Sequence, residues 1–390
     1  MARRRFLALA SGAGASALLG ACGGASLGGG DEQGSGAVKI GLLLPQSGAF
    51  TAIGEDLRRG FDLYLEGTGG KLGGRPATIV TADEGENADT GKAAAERLLK
   101  QERVLALTGV VNSVVLGAIK DLVQSARVPL VGSNASPTGL ADADFIWRTS
   151  FRNDQPGRAL GAYVAAQPDG RRVAVIAADY QAGRDEVTGF REAYEAAGGT
   201  IADVTWTPFP ATRNFLPYLQ RVGASKATAV FCFYAGTAAV DFVKQYHEAG
   251  LTQPLYAPGF LTEGGVLQAQ ADRALGIRTA LNYAADLPGE DNRRFVEAYQ
   301  ARNGKRPTTY AVASYDAAAV LDRAVAAAGA QPTSQSVNTA IGTLGDIASP
   351  RGTWRFTPER VPAQAWYLRE VRQSPQGPVN ALVRELLRLS

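Results

Sequence analysis

The strongest constraint in this 390-residue chain is a strand–helix alternation that restarts once. Val38-Lys39-Ile40-Gly41-Leu42-Leu43-Leu44-Pro45 is an apolar run closed by proline, the pattern of a strand buried on both faces. A loop at 47–54 leads into a predicted helix at 55–66, where Leu57, Phe61 and Leu65 share one face. The pattern continues with a strand at 77–81, a helix at about 90–101, a strand at 104–107, a loop at 108–113, a helix to Ser125 and a strand at 128–131. It begins again after Asp154. Strands are predicted at 172–177, 200–205, 229–234 and 255–257, with helices at 184–197, 215–222 and 238–249, the last stopped by Gly250. Two such series predict an α/β protein of two Rossmann-like lobes. Ligands of open α/β sheets sit beyond the carboxyl ends of the strands, so two facing edges make a central ligand cleft.

The segment before Val38 reads differently. Arg3, Arg4 and Arg5 open it, and no charged residue follows until Asp31. A basic start followed by Phe6-Leu7-Ala8-Leu9-Ala10 and small residues to Ala21 is the form of an export signal peptide, residues 1–21. Arg3-Arg4-Arg5-Phe6-Leu7 fits the twin-arginine address. Leu19-Gly20-Ala21-Cys22 resembles a bacterial lipobox, which makes Cys22 the expected lipidation site. Residues 23–36 hold seven glycines and read as a flexible lipid-proximal tether. These features predict export and a membrane link by lipid anchor only. They also explain the charge. The chain has 40 Lys+Arg against 37 Asp+Glu, and removing the three leader arginines leaves 37 of each. A balanced body argues against a nucleic-acid partner.

Catalytic and cofactor motifs are not found. There is no phosphate-cradling G-x-x-x-x-G-K-[ST], and the glycines at 67–74 read as a turn. Gly24-Ala25-Ser26-Leu27-Gly28 matches the serine-hydrolase elbow formally, but lacks the strand and helix that an elbow needs. His247, the sole imidazole, sits near a predicted helix end, where its charge suits the dipole. Cys232, inside an apolar strand, reads as a small buried hydrophobe. With two cysteines, a Cys-ligated metal site or disulfide scaffold is excluded. The expectation is a non-enzyme with no cofactor and no metal.

Three segments resemble the leucine/isoleucine/valine-type (type I) periplasmic binding proteins, the substrate receptors of ABC importers. They are Ile40 to Gly48 with Gly54 and Gly60; Thr108-Gly109 to Ser113 with 127–131 and Ser133-Asn134-Ala135-Ser136; and Tyr310-Ala311 with Tyr315-Asp316-Ala317, followed by Trp366 to Val371. The resemblance covers roughly residues 38–375. It implies three hinge crossings, with residues 37–152 and 284–355 as lobe I and 153–283 and 356–390 as lobe II. It implies a small-molecule ligand held by cleft closure and ABC permease subunits as partners. By position it assigns the ligand carboxylate to Ser113 and to Asn134, Ala135 and Ser136, groups that suit an anion site near helix N-termini. Both serines could equally cap their own helices. Ile53 stands where the family has an aromatic. In the second lobe, Ala182 stands at a family tyrosine, with Tyr180 two residues away, and the next loop supplies Tyr234 and Ala235.

One departure bears on the ligand. Amino-acid receptors of the family place an acid after the strand that here ends at Ala257, to pair the ligand ammonium. This chain reads Pro258-Gly259-Phe260, with Glu263 three residues on. Burying an ammonium without a counter-charge is costly. Either Glu263 or another acid substitutes, or the ligand lacks an ammonium. With Phe50, Ile53, Phe260 and Tyr283 assigned to the cleft, an aromatic or apolar carboxylate is favoured over an amino acid. The alternatives are a lipid-anchored sensor or partner-binding module of the same fold, and an α/β enzyme.

Overall fold

A computed structural model describes residues 36–389. The leader, Cys22 and most of the tether lie outside those residues.

The first lobe is built on a six-stranded sheet: β1 (Val38–Leu44), β2 (Lys71–Leu72), β3 (Arg75–Asp83), β4 (Ala106–Gly109), β5 (Leu130–Gly132) and β6 (Ile146–Arg148), in the order β2-β3-β1-β4-β5-β6. All pairings are parallel except the β2–β3 hairpin, whose turn is made by the glycines expected there. Its helices are α1 (Thr51–Gly67), α2 (Ala88–Glu96) and α3 (Ser113–Ala126). Strand alternation gives β1 two buried faces. Ile40 and Leu42 join a core with Leu57 and Phe61 of α1, while Leu43 joins Leu98, Ile119 and Leu130 on the other side. This is why the strand reads as a continuous apolar run.

The second lobe holds eight strands: β7 (Arg172–Asp179), β8 (Thr200–Pro208), β9 (Ala229–Phe233), β10 (Leu255–Pro258), β11 (Arg278–Leu281), β12 (Arg355–Phe356), β13 (Pro362–Ser374) and β14 (Gly377–Leu389). Between them run α4 (Gln155–Ala165), α5 (Gln181–Ala196), α6 (Leu216–Ala224), α7 (Gly236–Glu248) and the short α8 (Gly265–Gln270). β7 to β11 pair in parallel, and the antiparallel hairpin β13–β14 closes the sheet beside β11. The chain also supplies α9 (Glu290–Asn303), α10 (Thr309–Ala327) and α11 (Ser334–Ile341). α10 lies along α1 so closely that a Cβ on Gly60 would stand 2.0 Å from the Ala311 carbonyl oxygen.

The chain crosses between the lobes three times, and one carbonyl gathers the crossings. Ser150 O accepts from Asn282 Nδ2 (2.8 Å), Gln364 Nε2 (2.9 Å) and Arg351 Nη1 (3.2 Å). Arg351 also pairs with Asp316 of α10 at 3.0 Å, both side chains fully buried. Such a hub ties the three crossings to one another. Cys232 and His247 sit as expected: the thiol is buried in β9, and His247 is in the last turn of α7, its Nε2 2.7 Å from Arg273 O.

Candidate functional site

The carboxyl ends of both sheets face each other. From the first lobe come the segments after β1, β4 and β5; from the second come those after β7, β9 and β10. They enclose a small cavity, with about 30 Å³ of room for the centre of a water-sized sphere. The lobes touch around it. Thr138 Oγ1 donates to Asp185 Oδ1 at 2.9 Å, and Phe50 stacks 6.2 Å from Phe209. At the rim, Gly236 (φ +59°) comes so near Ala49 that a Cβ would stand 2.5 Å from its carbonyl oxygen. This is a closed cleft.

Nine residues expected in the site line this cavity: Phe50, Ile53, Ser113, Asn134, Ala135, Tyr180, Ala182, Ala235 and Phe260. Three do not. Tyr234 follows Phe233, and residue alternation sends its ring to the opposite face, against Phe242 (4.5 Å) with its hydroxyl 3.2 Å from Thr207 Oγ1. Tyr283 lies behind the second crossing; its hydroxyl donates to Asn292 Oδ1 at 2.9 Å among Leu287, Phe295 and Tyr299. Ser136 is fully buried off the cavity wall, its amide donating to Asn153 Oδ1 at 3.2 Å.

The polar end is built around Ser113. Asn112 caps α3, its side chain accepting the Val114 amide at 2.9 Å, so Ser113 is not the cap. Ser113 Oγ accepts from Asn153 Nδ2 at 3.1 Å, which leaves the hydroxyl proton for a ligand. Its amide belongs to the first helical residue and has no intrahelical acceptor. Both donors stand at the positive end of a 14-residue helix. The loop is fixed from below by Glu84, which accepts the Val111 and Asn112 amides at 2.9 and 3.0 Å. Burial pushes the Glu84 carboxyl up to about 8, although both amides work against that rise. Asn134 spends one N–H on Val111 O (3.1 Å), and Ala135 spends its amide on Val110 O (2.9 Å). Ala135 therefore forms wall and is no donor.

Six further residues line the cavity: Val111, Phe151, Asn153, Glu186, Phe233 and Tyr310. Strand parity could have exchanged Tyr234 for Phe233. Tyr310 belongs to the Tyr310-Ala311 motif, to which the resemblance assigns no ligand role. Phe151 packs on Phe260 at 5.2 Å across the lobes, and nothing local in its sequence marks it. Glu263 is not available as an ammonium partner. It is 5% exposed, accepts from Arg369 Nη1 at 2.8 Å and from the Thr309 amide at 2.8 Å.

The comparisons decide the family. Residues 37–377 match the family model described as periplasmic binding protein. The chain belongs to this family. This binding protein is 31% identical over 349 residues to Leu/Ile/Val-binding protein homolog 6 of Brucella melitensis, covering 87% of this chain and 89% of that one. A Rhodopseudomonas palustris ABC-transporter solute-binding protein, solved with benzoate, is 32% identical with a TM-score of 0.84, covering 91% of this chain and 98% of that one. Another R. palustris solute-binding protein, solved with 4-hydroxybenzoate, is 29% identical with the same TM-score, covering 90% and 96%. The fold is that of type I periplasmic binding proteins, and the chain is a solute-binding protein of the ABC-importer class rather than a member of an enzyme family.

Proposed function

We propose that this protein captures a small aromatic carboxylate by closing its lobes, and presents it to an ABC permease. The observation that carries the reading is the cavity itself. Phe50, Phe151, Phe233 and Phe260 supply aromatic walls, and Ser113 supplies anion donors at one end. An amino acid needs a counter-charge for its ammonium, and Glu263 is already paired with Arg369. Glu186, which does border the cavity, is held well above the usual carboxyl range by burial, with Asp154 and Asp185 adding to the rise. The benzoate and 4-hydroxybenzoate complexes of similar proteins support the same reading.

A thermal-shift panel tests it. Benzoate or a hydroxybenzoate at one hundred times Kd stabilises the protein by about 2.7 kcal/mol. A shift with leucine, isoleucine or valine and none with any aromatic acid refutes it.

In this reading residues 37–152 and 284–355 close against 153–283 and 356–390. The start Arg3-Arg4-Arg5-Phe6-Leu7 and the segment Leu19-Gly20-Ala21-Cys22 support twin-arginine export and acylation of Cys22 on the outer side of the cytoplasmic membrane. Among the described residues, no helix is long and apolar enough to cross a membrane. Cys22→Ser then moves the protein from the membrane fraction to the soluble one.

A further inference from the structure

The cavity contains more unpaired polar groups than a plain benzoate can use. Glu186 borders the cavity and is 1% exposed; its Oε2 accepts the Gly157 amide at 2.9 Å, and its Oε1 has no hydrogen-bond partner among the described residues. Tyr310, 3% exposed, and Tyr180 line the same space, and neither phenol has a partner among the described residues. Glu186 is the one carboxyl in that lining, and no Lys or Arg accompanies it. Closure expels water. A ligand whose polarity ends at its carboxylate would occupy Ser113 and leave Glu186 and the two phenols facing ring carbon. Buried polar groups left without partners are the main source of discrimination in such sites. A ring hydroxyl removes that cost, because it donates one hydrogen bond and accepts another.

We propose that Glu186 is a specificity-determining residue, accepting a hydrogen bond from a proton-donating substituent on the ligand, so that the site selects hydroxylated aromatic carboxylates over benzoate. Tyr180 and Tyr310 supply the complementary donors to the substituent's oxygen. The choice of a hydroxyl rests on the aromatic-acid reading above. An amino acid's ammonium offers the same proton-donating chemistry, and the test separates the two.

The experiment is titration calorimetry of wild type, Glu186→Gln and Tyr310→Phe with benzoate, 3- and 4-hydroxybenzoate and leucine. Wild type binds at least one hydroxybenzoate about 10-fold tighter than benzoate, equivalent to about 1.4 kcal/mol. Both variants cut that ratio below about 3-fold. Measurable benzoate binding in each variant shows that the cleft still forms. Should Glu186→Gln fail to fold, the ratio in Tyr310→Phe decides. A wild type that does not discriminate, or a ratio unchanged in the variants, overturns the proposal and leaves the aromatic-acid reading standing. Binding of leucine alone overturns the aromatic-acid reading. In that case a loss of leucine affinity in Glu186→Gln keeps the carboxyl as the reader of a donor, and unchanged affinity removes it.

Discussion

Gly236→Ala separates closure from folding. Gly236 opens α7 at φ +59°, and its missing Cβ would stand 2.5 Å from Ala49 O and 3.0 Å from the Phe50 ring. Two costs follow, and they fall on different states. Holding alanine in the left-handed region costs about 1–2 kcal/mol whether the cleft is open or shut. The clash exists only when the lobes meet. Ordinary contact begins at 3.4 Å, so the rim must part by roughly 0.9 Å against a backbone carbonyl that cannot rotate away. Overpacking of this kind costs about 1–3 kcal/mol, which weakens ligand binding about 5- to 150-fold. Gly236 does not line the ligand cavity, so no ligand contact is lost. Calorimetric titration gives the affinity, and a melt of the ligand-free protein gives the strain alone. A lower melting temperature with unchanged affinity would refute the reasoning, since the closed rim would then play no part in binding.

Two further outcomes are expected. Ser113→Ala weakens carboxylate binding about 10-fold with little change in melting temperature, because Asn112 and not Ser113 caps α3; equal loss of stability and affinity would count against the donor role. Stability falls as pH rises from about 5 to 8, because burial lifts Glu84 to about 8. The unfolded chain ionises this group near pH 4 to 4.5, so across that window the folded state holds more protons and the still-protonated group contributes a slope of up to about 1.4 kcal/mol per pH unit. Melts from pH 5 to 8 check this, and Glu84→Gln flattens the slope.

The fold was readable where strands are buried on both faces. β1 was expected at 38–45 and spans Val38–Leu44. Its neighbours differ at their ends for local reasons. α1 begins at Thr51 rather than 55, because a helical turn at Gly48–Phe50 leads directly into it. The helix expected at 90–101 runs from Ala88 and changes at Arg97 to a wider turn. The hairpin β13–β14 gave little signal, since β14 is half-buried or exposed throughout, with no regular two-residue alternation of burial. Loop position sufficed to bring Ser113 and Phe50 to the cavity wall. It could not decide which of Phe233, Tyr234 and Ala235 faces the ligand, because that depends on where the β9 pleat ends. Nor could it find Glu186, whose importance comes from an unpaired oxygen and from burial. Glu263 was readable as an acid near the cleft. Its pairing with Arg369, 106 positions away, exists only in the folded chain.

The central claim is that this cleft holds an aromatic acid by its carboxylate at the α3 N-terminus. The most direct measurement is a crystal structure of the protein grown with 4-hydroxybenzoate. The prediction is a ring among Phe50, Phe151 and Phe260, carboxylate oxygens on the Ser113 hydroxyl and amide, and the ring hydroxyl on Glu186. A cavity left empty at saturating ligand, or a carboxylate turned away from Ser113, would contradict it.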